Sequence, residues 1–154
     1  MSKVRFFAPE NRLAEAVNQP DGLLIEEVIG DADMVLTRAV GESVEKIDEC
    51  LASIDGLASD AAPGQLGELY QAVREVAGLA GLAKLPDLGR AAHTFCSLID
   101  LAQSSGALPQ DQIRVNVDVL RLLRRPERFA EAERAALLDN LFWVLEKARR
   151  TAAA

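Results

Sequence analysis

Val73-Arg74-Glu75-Val76-Ala77-Gly78-Leu79-Ala80-Gly81-Leu82-Ala83-Lys84-Leu85-Pro86-Asp87-Leu88 reads as the end of one helix, a short break and the start of the next. Before the break, Leu66, Leu69, Val73, Val76, Ala80 and Ala83 recur at alternating steps of three and four, which places them on one helical face. After it, Leu88, Ala92, Phe95, Ile99 and Ala102 repeat the same alternation. Lys84-Leu85-Pro86 separates the two stripes, and Pro86 suits a first helical turn, where its missing N–H costs nothing. A helix-interior glycine costs about 1 kcal/mol relative to alanine, so Gly78 and Gly81 ask for a reason. Either a neighbouring helix packs very close to them, or an outside partner needs a flat surface there.

Outward from this pair the chain remains helical. A helix is expected from about Leu23 to Leu57, kinked or split near Gly30 or Gly41, with Val40, Val44, Ile47, Leu51 and Ile54 on its apolar stripe. Ser59 to Gly64 reads as a loop. Ser104-Ser105-Gly106 ends the helix that carries Phe95. Ile113, Val115, Val117 and Val119 alternate with period two. They also fit a helix that is apolar on most sides, and Pro109 before them suits a helix start, so Pro109 to about Arg125 is read as a helix that Pro126 stops. The last helix, Glu131 to about Arg150, carries Leu138, Leu141, Leu145 and Ala148. Near the N-terminus, Pro9 to Val17 is expected to form a few turns before Asn18-Gln19-Pro20-Asp21-Gly22 breaks them.

Each stripe must be hidden against the others, which predicts an all-α, antiparallel helical bundle. The expected organisation is an N-terminal arm over 1–20, a bundle over 21–150 and a frayed tail over 151–154.

Composition limits the function classes. The chain has 154 residues, 49% of them hydrophobic and 5% aromatic, so its core is built from aliphatic side chains. The net charge is −7, and it is uneven: residues 1–60 carry a net of −8 and residues 61–154 a net of +1. An acidic chain is repelled by phosphate backbones, so no nucleic-acid partner is expected. Arg121, Arg124, Arg125 and Arg128 form a local basic cluster, read as a solvated helix end that complements the dipole. Cys50 and Cys96 form no CxxC pair, which argues for a reducing, cytoplasmic setting without a disulfide or zinc site. No stretch approaches the ~20 apolar residues of a membrane span, and the N-terminus has no secretory pattern.

With Gly78, Ala80, Gly81, Leu85-Pro86, Leu88, Ala92 and Phe95 in this order, the segment Leu66–Ile99 resembles the histidine-phosphotransfer (HPt) family. The resemblance implies a four-helix core, here with an N-terminal helical extension. Members present a mid-helix histidine, followed by a lysine three residues on and a glycine four residues on. The glycine lets a receiver domain approach, and the lysine offers charge to the phosphoryl group. Gly78 takes the glycine position. Arg74 then stands where the histidine belongs and Ala77 where the lysine belongs. A guanidinium stays protonated and is a poor nucleophile, so this register keeps the docking surface without the phosphoacceptor.

A second register starts at the only histidine, in Ala92-His93-Thr94-Phe95-Cys96-Ser97. There Cys96 and Ser97 replace the lysine and glycine, and the following small-residue tract is absent. His93 lies two residues before Phe95 and points away from the deepest core. It is either an exposed acceptor or a bystander.

Over most of its length the chain also resembles the chemotaxis-associated CheE-type proteins of alphaproteobacteria. The resemblance rests on Arg5-Phe6-Phe7-Ala8-Pro9-Glu10-Asn11-Arg12-Leu13, Leu88-Gly89-Arg90-Ala91-Ala92 and Val117-Asp118-Val119-Leu120-Arg121-Leu122-Leu123.

The two resemblances imply a non-catalytic regulatory module of two-component or chemotaxis signalling. It would dock a response-regulator receiver domain or a histidine kinase through Arg74, Ala77, Gly78 and Gly81. The alternatives are active phosphotransfer through His93 and a homodimeric helical scaffold. No cofactor is expected. His93 and Cys96 could place two metal ligands on one helix face, but no further ligands are evident, so no metal is expected either. Glu26-Glu27 and Asp48-Glu49 read as solvated faces rather than acid–base pairs.

Overall fold

The computed structural model describes residues 25–59, 63–105 and 110–152. The expected N-terminal arm lies outside them. Five helices are described: α1 (Ile25–Ser59), α2 (Leu66–Ala80), α3 (Pro86–Ser105), α4 (Gln110–Leu123) and α5 (Glu131–Ala152), with short 3-10 turns at Pro63–Gln65 and Pro126–Arg128. They pack as an antiparallel bundle with a long N-terminal helix, the all-α class that the stripes predict. The chain divides into two units, residues 1–36 and 37–154. In the first, the described part of α1 exposes Ile29, Met34, Val35 and Leu36.

In the second unit, the apolar stripes become the core. Ile47, Leu51 and Ile54 of α1 are buried with Leu69, Val73, Val76 and Ala80 of α2 and with Leu88, Ala92, Phe95 and Ile99 of α3. Ile113, Val117, Leu120 and Leu123 of α4 and Leu138, Leu141 and Leu145 of α5 complete it. Val40 and Val44, expected on the stripe, are half-buried. Phe95 is the largest fully buried side chain, and burying an aromatic ring of that size contributes roughly 2–3 kcal/mol. The expected break in α1 does not form: the helix runs unbroken through Gly30 and Gly41. Neither glycine would bring a Cβ within 4 Å of another group, so each is a local propensity cost that the long helix absorbs.

The period-two residues of α4 resolve as a helix, with Ile113, Val117, Val119 and Leu120 buried and Val115 about half exposed (53%). Two of the four clustered arginines are not simply solvated. Arg124 forms a bidentate pair with Asp48 of α1, at 2.7 and 2.8 Å, and Arg121 pairs with Asp55 of α1. Gln110 at the start of α4 also donates to the Ala58 carbonyl at the end of α1. The expected solvated helix end is therefore corrected: the Arg121 and Arg124 guanidiniums tie the end of α4 to α1 through the carboxylates of Asp55 and Asp48. Arg134 of α5 does comparable work on the other side. Its guanidinium pairs with Asp87 in the first turn of α3 at 2.9 Å and donates to the Pro126 and Phe129 carbonyls. Glu133 caps the start of α5 by accepting from the Ala130 N–H at 2.8 Å.

The α2–α3 break is a Schellman-type closure. The Leu85 N–H bonds the Ala80 carbonyl at 2.8 Å and the Lys84 N–H bonds the Gly81 carbonyl at 3.2 Å. Leu85 then turns into the core. Lys84 carries the left-handed conformation this closure needs, with φ 58°, a position usually given to glycine because a Cβ there crowds the following carbonyl. Lys84→Gly is therefore expected to stabilise the fold by about 1 kcal/mol, read as a rise of the melting midpoint by roughly 2–4 °C in thermal denaturation.

Candidate functional site

The outward face of α2 holds the residues singled out by the sequence. Arg74, Gly78 and Gly81 are exposed, and Ala77 is half-buried against the core. The two explanations for the glycines can now be separated. A Cβ added at Gly78 or at Gly81 would meet nothing within 4 Å. No helix packs there: Gly78 lowers the surface of the last turn of α2, and Gly81 caps the helix, its carbonyl accepting the Lys84 N–H in the closure. The close approach occurs instead at Gly89 of α3, where a Cβ would lie 3.2 Å from the Ala80 Cβ and 4.0 Å from the Ala77 carbonyl oxygen. The small residues of α2 that face inward accommodate α3, while those that face outward are open.

Charges border this face on both sides. Toward α1, Glu75 lies beside Cys50 and Lys46, and burial together with the Glu75 carboxylate pushes the Cys50 thiol from its ordinary 9.0 up to about 11. Toward α3, Arg74 acts on Cys96. Burial and Asp100 raise that thiol to about 11, while the Arg74 guanidinium pulls against them. Arg74 thus stands at the α2–α3 seam.

His93 is exposed on α3. It lies one turn after Gly89, which faces α2, and one turn before Cys96, whose thiol feels the Arg74 charge. His93 therefore belongs to the flank of α3 that borders the glycine-bearing face of α2. The sequence treats Gly78 and His93 as two competing registers; the fold exposes both, on the adjacent helices α2 and α3.

Among the described residues, no group of three or more His, Cys, Asp or Glu side chains could hold a metal ion, and no helix is long and apolar enough to cross a membrane. Cys50 and Cys96 are free and buried. Glu49 pairs with Lys46 at 3.0 Å and Asp48 with Arg124, so this acidic pair is engaged in ion pairs. The chain matches no protein-family model and no curated protein.

Two measurements check this geometry. Gly78→Ala is expected to stabilise the protein by about 0.5–1 kcal/mol, since it adds helix propensity in open space; Gly89→Val should cost roughly 1–3 kcal/mol by overpacking. Chemical denaturation of both variants reads the opposite signs. For the thiols, the raised folded-state values mean that the unfolded chain loses its protons first as pH rises. Their contribution is intact below about pH 9 and is lost between about pH 9 and pH 11. The double Cys50→Ser, Cys96→Ser variant should show a shallower loss of stability across that window than the native chain.

Proposed function

We propose that this chain is a non-catalytic, HPt-like regulatory module that docks a receiver domain or a histidine kinase through the outward face of α2. The observation that carries the reading is Gly78: a glycine in the last turn of α2 with no packing role, exposed near Arg74 and Ala77. A low surface flanked by a cation suits the approach of a domain whose phosphoacceptor pocket is acidic. The all-α bundle and the retained small residues agree with this use. Arg74 in the histidine position makes docking by this register independent of phosphate transfer.

A second reading, active phosphotransfer through His93, is favoured by one specific observation. Arg74 brings its charge to Cys96, three residues after His93, where the family's lysine would stand. An exposed imidazole on a helix flank that also feels a cation has parts an acceptor site needs.

The decisive experiment uses purified receiver domains and histidine kinases encoded in the same genome. Calorimetric titration should find binding that Gly78→Arg reduces at least tenfold while circular dichroism is unchanged. Failure of every candidate to bind overturns the docking reading. Incubation with the phosphorylated partner should leave no acid-labile phosphate on this chain. Label that appears and is lost in His93→Ala replaces the adaptor reading with the second one.

A further inference from the structure

The first part of α1 carries an apolar stripe that nothing described covers. Ile29 and Leu36 are each 55% exposed. With Val40, Ile47 and Ile54 they follow one another at steps of seven, four, seven and seven, so they share one line of the helix. Ile47 and Ile54 on that line are fully buried, and Val40 is half-buried. The pattern that builds the core therefore runs on into residues left open to solvent. Asp33 stands on the same side, one turn from Ile29 and one turn from Leu36. It is exposed and makes no ion pair with another described residue. Along its length the uncovered stripe is apolar, acidic, then apolar.

That order selects the occupant. A second copy would bring like charges together, since residues 25–36 hold Glu26, Glu27, Asp31 and Asp33 with no lysine or arginine. The complementary order occurs earlier in this chain. Lys3-Val4-Arg5-Phe6-Phe7 sets the Arg5 cation between apolar side chains, and residues 1–9 contain no acidic residue. The tether is long enough. Seventeen residues separate Phe7 from Ile25; they span about 25 Å even if wound as a helix, whereas Leu36 lies only about 17 Å along α1 from Ile25. Asn18-Gln19-Pro20-Asp21-Gly22 supplies turn-forming residues for the reversal.

We propose that residues 3–7 of the same chain, which lie outside the described residues, cover this stripe. Val4, Phe6 and Phe7 would pack on Ile29 and Leu36, and the Arg5 guanidinium would pair with the Asp33 carboxylate. The inference is independent of the docking reading for α2.

A nitroxide attached to Ser2→Cys in the full chain tests the contact, since both native thiols are buried. It should broaden the amide resonances of residues 29–36. Replacing Phe6 and Phe7 by serine should remove most of that broadening, with the melting midpoint of the bundle unchanged. Arg5→Glu and Asp33→Lys should each reduce it several-fold, and the chain carrying both should recover it, because the pair re-forms with its signs exchanged. A mixture of nitroxide-bearing chain and isotope-labelled chain without nitroxide should show no broadening. Broadening in that mixture assigns the stripe to a second copy and overturns the proposal. So does a nitroxide that leaves residues 29–36 sharp, a contact indifferent to the loss of both phenylalanines, or a double charge reversal that fails to restore it.

Discussion

The 3.2 Å approach between the position of a Gly89 Cβ and the Ala80 Cβ is the constraint on which the central hairpin depends. A side chain at Gly89 would have to displace Ala80, beside the layer holding Val73, Val76, Leu88 and Ala92, each fully buried. Close packing of this kind has little tolerance, because interiors are as dense as molecular crystals. The Schellman closure at Lys84 and Leu85 supports the same contact, returning the chain at the distance that Ala80 and Gly89 permit. The left-handed Lys84 is the local strain accepted for that return.

Polar groups join the remaining helices to one another and to this hairpin. Asp48 with Arg124, and Asp55 with Arg121, join α1 to α4; Asp87 with Arg134 joins α3 to α5. Exposed pairs of this sort contribute little stability each. Their value lies in register: a bidentate guanidinium fixes how far one helix slides along another, where leucines and valines would accept several alignments. The buried Ser43 and Asn116 play no such part, since each bonds a carbonyl of its own helix.

Among the described residues of the second unit, two outward surfaces without a packing role stand out. One is the lowered face of α2 around Gly78, bordered by Arg74 and by the His93 flank of α3. The other is the aromatic side of α5, where Phe142 and Trp143 are exposed. They differ in chemistry: the first is low and flanked by charge, the second raised and aromatic. A surface of the first kind suits a rigid domain that approaches closely.

The sequence by itself determined the helical class, the buried stripe of each helix and the turn before Pro86, because a 3.6-residue period and a proline act locally and are written in the order of residues. It also marked Gly78 and Gly81 as unusual, without saying why. Only the tertiary structure decided that these two glycines are open and that Gly89 is the one that packs, since a glycine's purpose depends on which helix lies across from it. The same holds for Arg121 and Arg124, whose carboxylate partners are more than sixty residues away in the chain, and for the seam that joins Arg74 to the His93 flank. Periodicity tells which face of a helix is buried; it carries no information on the rotation and slide of one helix against the next, and the candidate site is made of those two quantities.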